Sequence, residues 1–213
     1  MKYNNYIFDL DGTLLNSIED LAASCNYALR SCGMAEYSVQ EIQDFVGNGV
    51  KKLMERSVPQ GINNPQFEQA LRTFKTHYLE HNSVYTRPYD GIPELLKTLN
   101  SRGKGVAVVS NKFDAATKAL VKQYFGDDIK VAIGESAHIS KKPAPDMLLE
   151  AMRQLDCNAD DTVYIGDSDV DIITAKNCAL PCISVLWGFK SRSFLIEHGA
   201  TVLVSHPKDI IDF

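Results

Sequence analysis

The sequence predicts an α/β protein, a doubly wound and mostly parallel sheet with a helical domain inserted after its first strand. Two short, continuously apolar runs, Val106 to Val109 and Thr162 to Ile165, have the composition of strands covered on both faces. Such runs alternate with helical segments from about residue 92 onward, the rhythm of successive βαβ units. Between the first strand and that alternation lie roughly 65 to 70 residues without a strand signal, too many for a connecting loop.

The first strand is the apolar stretch through Tyr6, Ile7, Phe8 and Leu10, which runs into Asp11-Gly12. Four helices follow. Ser17-x-x-Asp20 opens one in capping-box spacing, with Leu21, Ala22, Cys25, Ala28 and Leu29 on its apolar face and Gly33 at its end. Ser38 and Glu41 open a second, carrying Val39, Ile42, Phe45 and Val46. A third follows Gly49 through Leu53, Met54 and Val58, and a fourth starts near Pro65 with Phe67, Leu71, Phe74 and Tyr78 at helical spacing. The alternation then predicts helix 92–102, strand 106–110, helix 114–124, strand 129–133, helix 145–155, strand 162–165, helix 169–178, strand 183–186 and a last strand near 201–204.

Chemistry-bearing residues sit at the carboxyl ends of these strands. Asp9 and Asp11 flank the end of the first, Ser110-Asn111-Lys112 ends the second, and Gly166-Asp167-Ser168-Asp169-Val170-Asp171 follows the Thr162 run. Lys142 stands before a proline-started helix. Each alone has an ordinary explanation: Asp-Gly is a common turn, Ser110 can cap a helix, and Lys142 and Asp171 can be solvated surface residues. In an open parallel sheet, however, ligands bind at the carboxyl ends of strands, so Asp9, Asp11, Ser110, Lys142, Asp167 and Asp171 are expected to share one crevice. Asp167 and Asp171, four apart, are expected on one face of a helix's first turn, with Asp169 pointing away.

Carboxylates crowded together raise one another's pKa unless a cation neutralises them. The candidate ligands are all oxygen, with no histidine or cysteine at compatible spacing, which selects a hard ion such as Mg²⁺ over zinc.

The ordered set Asp-x-Asp-Gly-Thr, strand-ending Ser, Lys, and Gly-Asp-x-x-x-Asp resembles the haloacid dehalogenase superfamily of phosphatases, from Ile7 to about Phe189. That resemblance implies a Rossmann-like catalytic core, residues 1–15 and 85–213, and a cap domain, residues 16–84. It implies Asp9 as a nucleophile that becomes an aspartyl-phosphate, Asp11 as general acid and base, and Ser110 and Lys142 as holders of the phosphoryl oxygens. Gly12, Thr13 and Asn111 would complete the substrate site. Asp9, Asp11 through its backbone carbonyl, and Asp167 would ligate Mg²⁺, with Asp171 in the ligand shell or just behind it. The segment Gly47-Asn48-Gly49, with Arg56 beyond it, is similar to the cap of bacterial phosphoglycolate phosphatases and implies substrate contacts there. Phe113, where that branch often has proline, and the tail from Ser191 depart from it.

The implied activity is Mg²⁺-dependent hydrolysis of a small phosphate monoester, 2-phosphoglycolate before others. The alternatives are a β-phosphoglucomutase-like phosphomutase, a pyrophosphatase or nucleotidase of the same superfamily, and a catalytically silent binding module. A dehalogenase is disfavoured because that branch lacks the acid present here as Asp11.

Composition fits. The 213 residues are 45% hydrophobic, enough for one full domain and a smaller one. A net charge of −5 argues against nucleic acid or anionic membranes as partners, so an anionic substrate must be attracted locally. Five cysteines without metal-site pairing, and an N-terminus without a signal-peptide pattern, imply a cytoplasmic enzyme; a monomer or homodimer is the expected state. His77 and His81, four apart on a helix, are expected to be solvated.

Overall fold

In a computed structural model, which describes residues 2–213, the chain divides into two compact units: residues 2–16 with 88–213, and Ser17–Arg87. The larger unit is built on six strands: β1 (Asn5–Phe8), β4 (Gly105–Phe113), β5 (Val131–Glu135), β6 (Thr162–Gly166), β7 (Cys182–Val185) and β8 (Val202–Val204). Two short strands, β2 (Leu15–Asn16) and β3 (Arg87–Pro88), pair separately beside the points where the chain leaves and re-enters this unit.

The six strands are arranged in the order β5-β4-β1-β6-β7-β8, and every neighbouring pair is parallel. From β1 the chain runs outward through β4 to β5, then crosses back to β6 on the other flank of β1. Adjacent connections therefore diverge at β1, opening the crevice in which open α/β sheets hold ligands.

Two apolar layers sandwich the sheet. Tyr6, Phe8, Val106, Val108, Val163 and Ile165 face α5 (Ile92–Ser101) and α6 (Asp114–Phe125). The alternate residues Ile7, Ala107, Val109 and Tyr164 face α7 (Asp146–Leu155) and α8 (Asp169–Asn177). Both faces are covered, which is why the strands read as unbroken apolar runs. A short helix, α9 (Arg192–Glu197), precedes β8.

The smaller unit holds α1 (Ile18–Ser31), α2 (Val39–Phe45), α3 (Val50–Ser57) and α4 (Phe67–His81). Leu21, Cys25, Leu29, Ile42, Leu53, Met54, Phe74 and Tyr78 form its buried apolar side. The Ser38–Glu41 capping box is present, as expected. Ser17, in contrast, makes no side-chain cap, and Asp20 serves another purpose. Its carboxylate accepts hydrogen bonds from the amides of Tyr85 and Thr86 and from the Thr86 hydroxyl, at 2.7–3.1 Å. Residues 85 and 86 belong with this unit for that reason.

Strand ends shift by one residue from expectation at β6, β7 and β8, and two strands differ by more. β5 begins at Val131 rather than at Ile129, and β4 extends to Phe113. Between Val109 and Phe113, β4 advances four residues while β5 advances two, from Ile133 to Glu135. A bulge of this kind re-aims side chains at a strand end, and here it spans Ser110, Asn111 and Lys112. Among the described residues, no helix is long and apolar enough to cross a membrane.

Candidate active site

The carboxyl ends of β1, β4 and β6 bring together Asp9, Ser110 and Asp167, and the segment before α7 adds Lys142. Asp9, Asp167, Asp171 and Lys142 retain 8%, 2%, 0% and 3% of their surface, so four charged groups share an almost dry volume. Single oxygens of Asp9, Asp167 and Asp171 lie within 4.8 Å of one another. Three carboxylates so placed cannot all remain charged without compensation.

Part of that compensation is Lys142. Its ammonium donates to Asp9 Oδ1 at 2.9 Å and to Asp171 Oδ1 at 2.8 Å. Burial alone would lower the lysine's pKa, but Asp171 and Asp9 outweigh it and raise it, so Lys142 stays charged. The acids outnumber this cation. Burial pushes Asp9 well above the usual carboxylate range, and Asp171 and Asp167 push the same way against the pull of Lys142. Asp167 is pushed up to about 7, by burial first and by Asp171 second. An all-oxygen donor set with charge still to neutralise fits a hard divalent cation.

Local backbone chemistry fixes each acid. Asp9 Oδ1 accepts the Leu10 amide at 2.7 Å as well as Lys142, and among the described residues Oδ2 has no hydrogen bond. Gly12 has φ +85°, and a Cβ there would stand 2.3 Å from Asp167 Oδ2, so only glycine lets this turn approach the acid. Thr13 donates to Asp167 Oδ1 at 3.3 Å, and the Phe189 amide donates to Oδ2 at 2.7 Å.

Asp167 lies before α8, not on its first turn as its spacing from Asp171 predicts. Ser168 is the N-cap, and Asp171 closes a capping box onto it. The two acids still converge, because the loop and not helical periodicity brings Asp167 inward.

Asp11 is the most accessible of the predicted acids. Its Oδ1 accepts the Lys112 ammonium at 2.8 Å, and Lys112 itself is nearly buried. Ser110 is buried and accepts the Lys112 amide at 3.2 Å. Asn111 donates its side-chain amide to the Lys142 carbonyl at 3.0 Å, which anchors the lysine's segment.

The predicted residues of the helical unit are engaged within it. Arg56 donates to the Phe45 carbonyl at 2.6 Å and to Asn48 Oδ1 at 2.8 Å, which ties down the loop whose glycines Gly47 and Gly49 both have positive φ. His77 and His81 stack on each other with centroids 4.1 Å apart.

Two contacts were not anticipated from sequence, Lys112 on Asp11 and the Tyr164 hydroxyl beside Lys142 and Asp171. Tyr164 carried a signal, since a hydroxyl inside a strand covered on both faces usually takes a partner, although the Tyr6 hydroxyl in β1 has none among the described residues. Lys112 carried less, being one more polar residue after an apolar run.

The sequence of residues 6–185 matches the family described as haloacid dehalogenase-like hydrolase. The chain belongs to that family. Among its relatives is a phosphoglycolate phosphatase of Aquifex aeolicus, 31% identical over 96% of this chain and 93% of that protein. Another is an N-acetylmuramic acid 6-phosphate phosphatase of Pseudomonas aeruginosa, 29% identical over 100% and 95%. The crystal structure of a provisionally named phosphoglycolate phosphatase from Lactobacillus delbrueckii superposes with a TM-score of 0.94 at 37% identity, covering 99% of this chain and 97% of that one. Within the haloacid dehalogenase-like hydrolases this chain is a phosphatase, a phosphoric monoester hydrolase.

Proposed function

We propose that the protein is a Mg²⁺-dependent phosphatase that passes the phosphoryl group of a small monoester to Asp9 and then to water. The observation that carries the reading is the buried Lys142 ammonium held 2.9 Å from Asp9, with Asp167 and Asp171 in the same small volume. Hydrogen bonds to Oδ1 fix the Asp9 carboxylate and leave Oδ2 as the attacking atom.

Ser110 receives a phosphoryl oxygen, and Lys142, its protons directed to Asp9, Asp171 and the Tyr164 hydroxyl, acts on the phosphoryl oxygens through its charge, offsetting the cost of bringing an anionic phosphate against an anionic nucleophile. Asp9, the Asp11 carbonyl and Asp167 would hold Mg²⁺, which supplies charge neutralisation of the phosphoryl group and of the acids around it. Asp11, the accessible acid, protonates the departing alkoxide and later takes a proton from the hydrolytic water. The uncatalysed reaction is slow enough that rate gains of up to ~10²¹ are needed, which makes positioning and charge the main demands on the site. Gly12, Thr13 and Asn111 support the site through Asp167 and Lys142. The helical unit, including Gly47, Asn48, Gly49 and Arg56, acts as a cap and contributes to substrate choice.

The leading substrate is 2-phosphoglycolate, the compound named in the Aquifex relative. N-acetylmuramic acid 6-phosphate is the second reading, favoured by the Pseudomonas relative. Both compounds pair a phosphate with a carboxylic acid, and Lys112 offers a second ammonium beside Asp11. The test is phosphate release with Mg²⁺ from these two compounds, sugar phosphates, nucleotides and pyrophosphate. Turnover should be fastest on a carboxylated monoester and should stop with EDTA. Absence of release from every compound would overturn the reading.

A further inference from the structure

We propose that Tyr164 is a positioning residue for the phosphoryl-transfer site, its hydroxyl and the Asp171 carboxylate together holding the Lys142 ammonium against Asp9. The inference rests on the phosphatase reading above and extends it to a strand residue two positions before the Gly-Asp turn.

A lysine ammonium is a compact charge on a four-carbon stem, with three protons to donate. In a dry site each proton needs an acceptor. Lys142 has three partners: Asp9 Oδ1 at 2.9 Å, Asp171 Oδ1 at 2.8 Å and the Tyr164 hydroxyl oxygen at 2.9 Å. The hydroxyl proton of Tyr164 goes in turn to Asp171 Oδ1 at 2.8 Å. Lysine, tyrosine and aspartate thus form a closed triangle with its apex turned to Asp9.

The other side of Asp171 is also occupied. Its Oδ2 accepts the Ser168 amide at 3.1 Å and the Ser168 hydroxyl at 2.6 Å. Four donors fill roughly the four lone-pair positions of a carboxylate. Asp171 therefore serves as the wall behind Lys142, while Asp9 Oδ2 has no hydrogen bond among the described residues. Gly166 belongs to the same construction, because a Cβ there would stand 2.3 Å from the Asp171 carboxyl carbon.

Packing does not explain the hydroxyl. Tyr164 is fully buried among Ile7, Ala107, Met147 and Ala175, a setting that a phenylalanine ring would fill as well. Its place opposite Ile7 in the register of β1 and β6 puts the ring beside the strand that ends at Asp9. The structure thus assigns the polar atom to the lysine and the ring to the core.

Tyr164→Phe deletes the hydroxyl and keeps the ring, so the fold should survive. The expected result is a fall in kcat/KM of about 10- to 100-fold, the scale of one lost hydrogen bond to a charged group. A purely structural role would give the same loss whatever stood at position 142, so Tyr164→Phe is measured in wild-type and in Lys142→Met backgrounds. Loss in the first background and none in the second is the predicted outcome. Equal losses in both, or a Tyr164→Phe enzyme within about threefold of wild type, would overturn the assignment. The same four proteins are titrated with orthovanadate by calorimetry, so that the cycle closes even where Lys142→Met turnover is undetectable. A wild-type enzyme inactive on every ester would refute the phosphatase reading itself, whereas an active wild type with an unaffected Tyr164→Phe removes only the role given to Tyr164.

Discussion

Withdrawing divalent cations and raising the pH should destabilise this protein in a way that is traceable to Asp167. In the folded, metal-free chain its carboxyl is pushed up to about 7, whereas an aspartate in the unfolded chain titrates near ~4. Below both values the two states bind the same proton and no penalty exists. Between them the unfolded chain has lost its proton and the folded chain still holds it, so the folded state loses stability as pH rises. Three units correspond to about 4 kcal/mol, complete by pH ~7. Asp9, raised in the same direction by burial, adds to the effect. For a chain of this size each kcal/mol moves Tm by roughly 2–4 °C, so Tm in EDTA should drop by roughly 8–16 °C between pH 4 and pH 8. Differential scanning calorimetry across that range reads it directly. Asp167→Asn should flatten the slope, and millimolar Mg²⁺ at pH 8 should restore the lost Tm of the wild type only. A metal-free Tm that holds steady or rises over that interval, or a slope unchanged in Asp167→Asn, would refute the reasoning.

Other consequences are simpler. Gly12→Ala places a side chain at φ +85° and against Asp167, so it should cost about 1–2 kcal/mol from the backbone alone and also weaken Mg²⁺ binding, read by calorimetric titration; unchanged metal affinity would contradict the packing. Lys112→Met removes the ion pair with Asp11 and should lower kcat/KM about 10-fold or more on carboxylated esters while leaving the folded state intact by circular dichroism. Full retention of activity would show that Lys112 is only a neighbour. Arg56→Ala should loosen the Gly47–Gly49 loop, detected as faster amide hydrogen exchange at residues 45–49, and protection identical to wild type would count against that role.

Much of the core architecture is legible in the chain because strands buried on both faces announce themselves as apolar runs. Val106–Val109 and Thr162–Ile165 are the clearest, and each ends where its polar residues begin. The same rule cuts β4 short: Ser110, Asn111 and Lys112 remain in the strand because a bulge turns them toward the site, and no local signal in the sequence foretells a bulge. Ser38 and Glu41 behave as their spacing suggests, whereas Asp20, at the same spacing from Ser17, is drawn away by two amides 65 and 66 residues later. A capping box is a local preference, and a distant segment with unsatisfied amides outcompetes it. The convergence of Asp9, Asp167, Asp171 and Lys142 follows from the ordered motifs together with the rule for parallel sheets. The pairing of Lys112 with Asp11 and of Tyr164 with Lys142 depends on side-chain direction across strands, which periodicity does not encode.

The most direct test of the central role given to Asp9 is to quench a turnover with excess 2-phosphoglycolate and Mg²⁺ in acid within milliseconds, reduce the trapped protein with borohydride, and map the peptide that contains residue 9 by mass spectrometry. The expected product is homoserine at position 9, the mark of a reduced aspartyl-phosphate, and it should be absent when Mg²⁺ is omitted. Steady phosphate release with residue 9 recovered entirely as aspartate would contradict the covalent route.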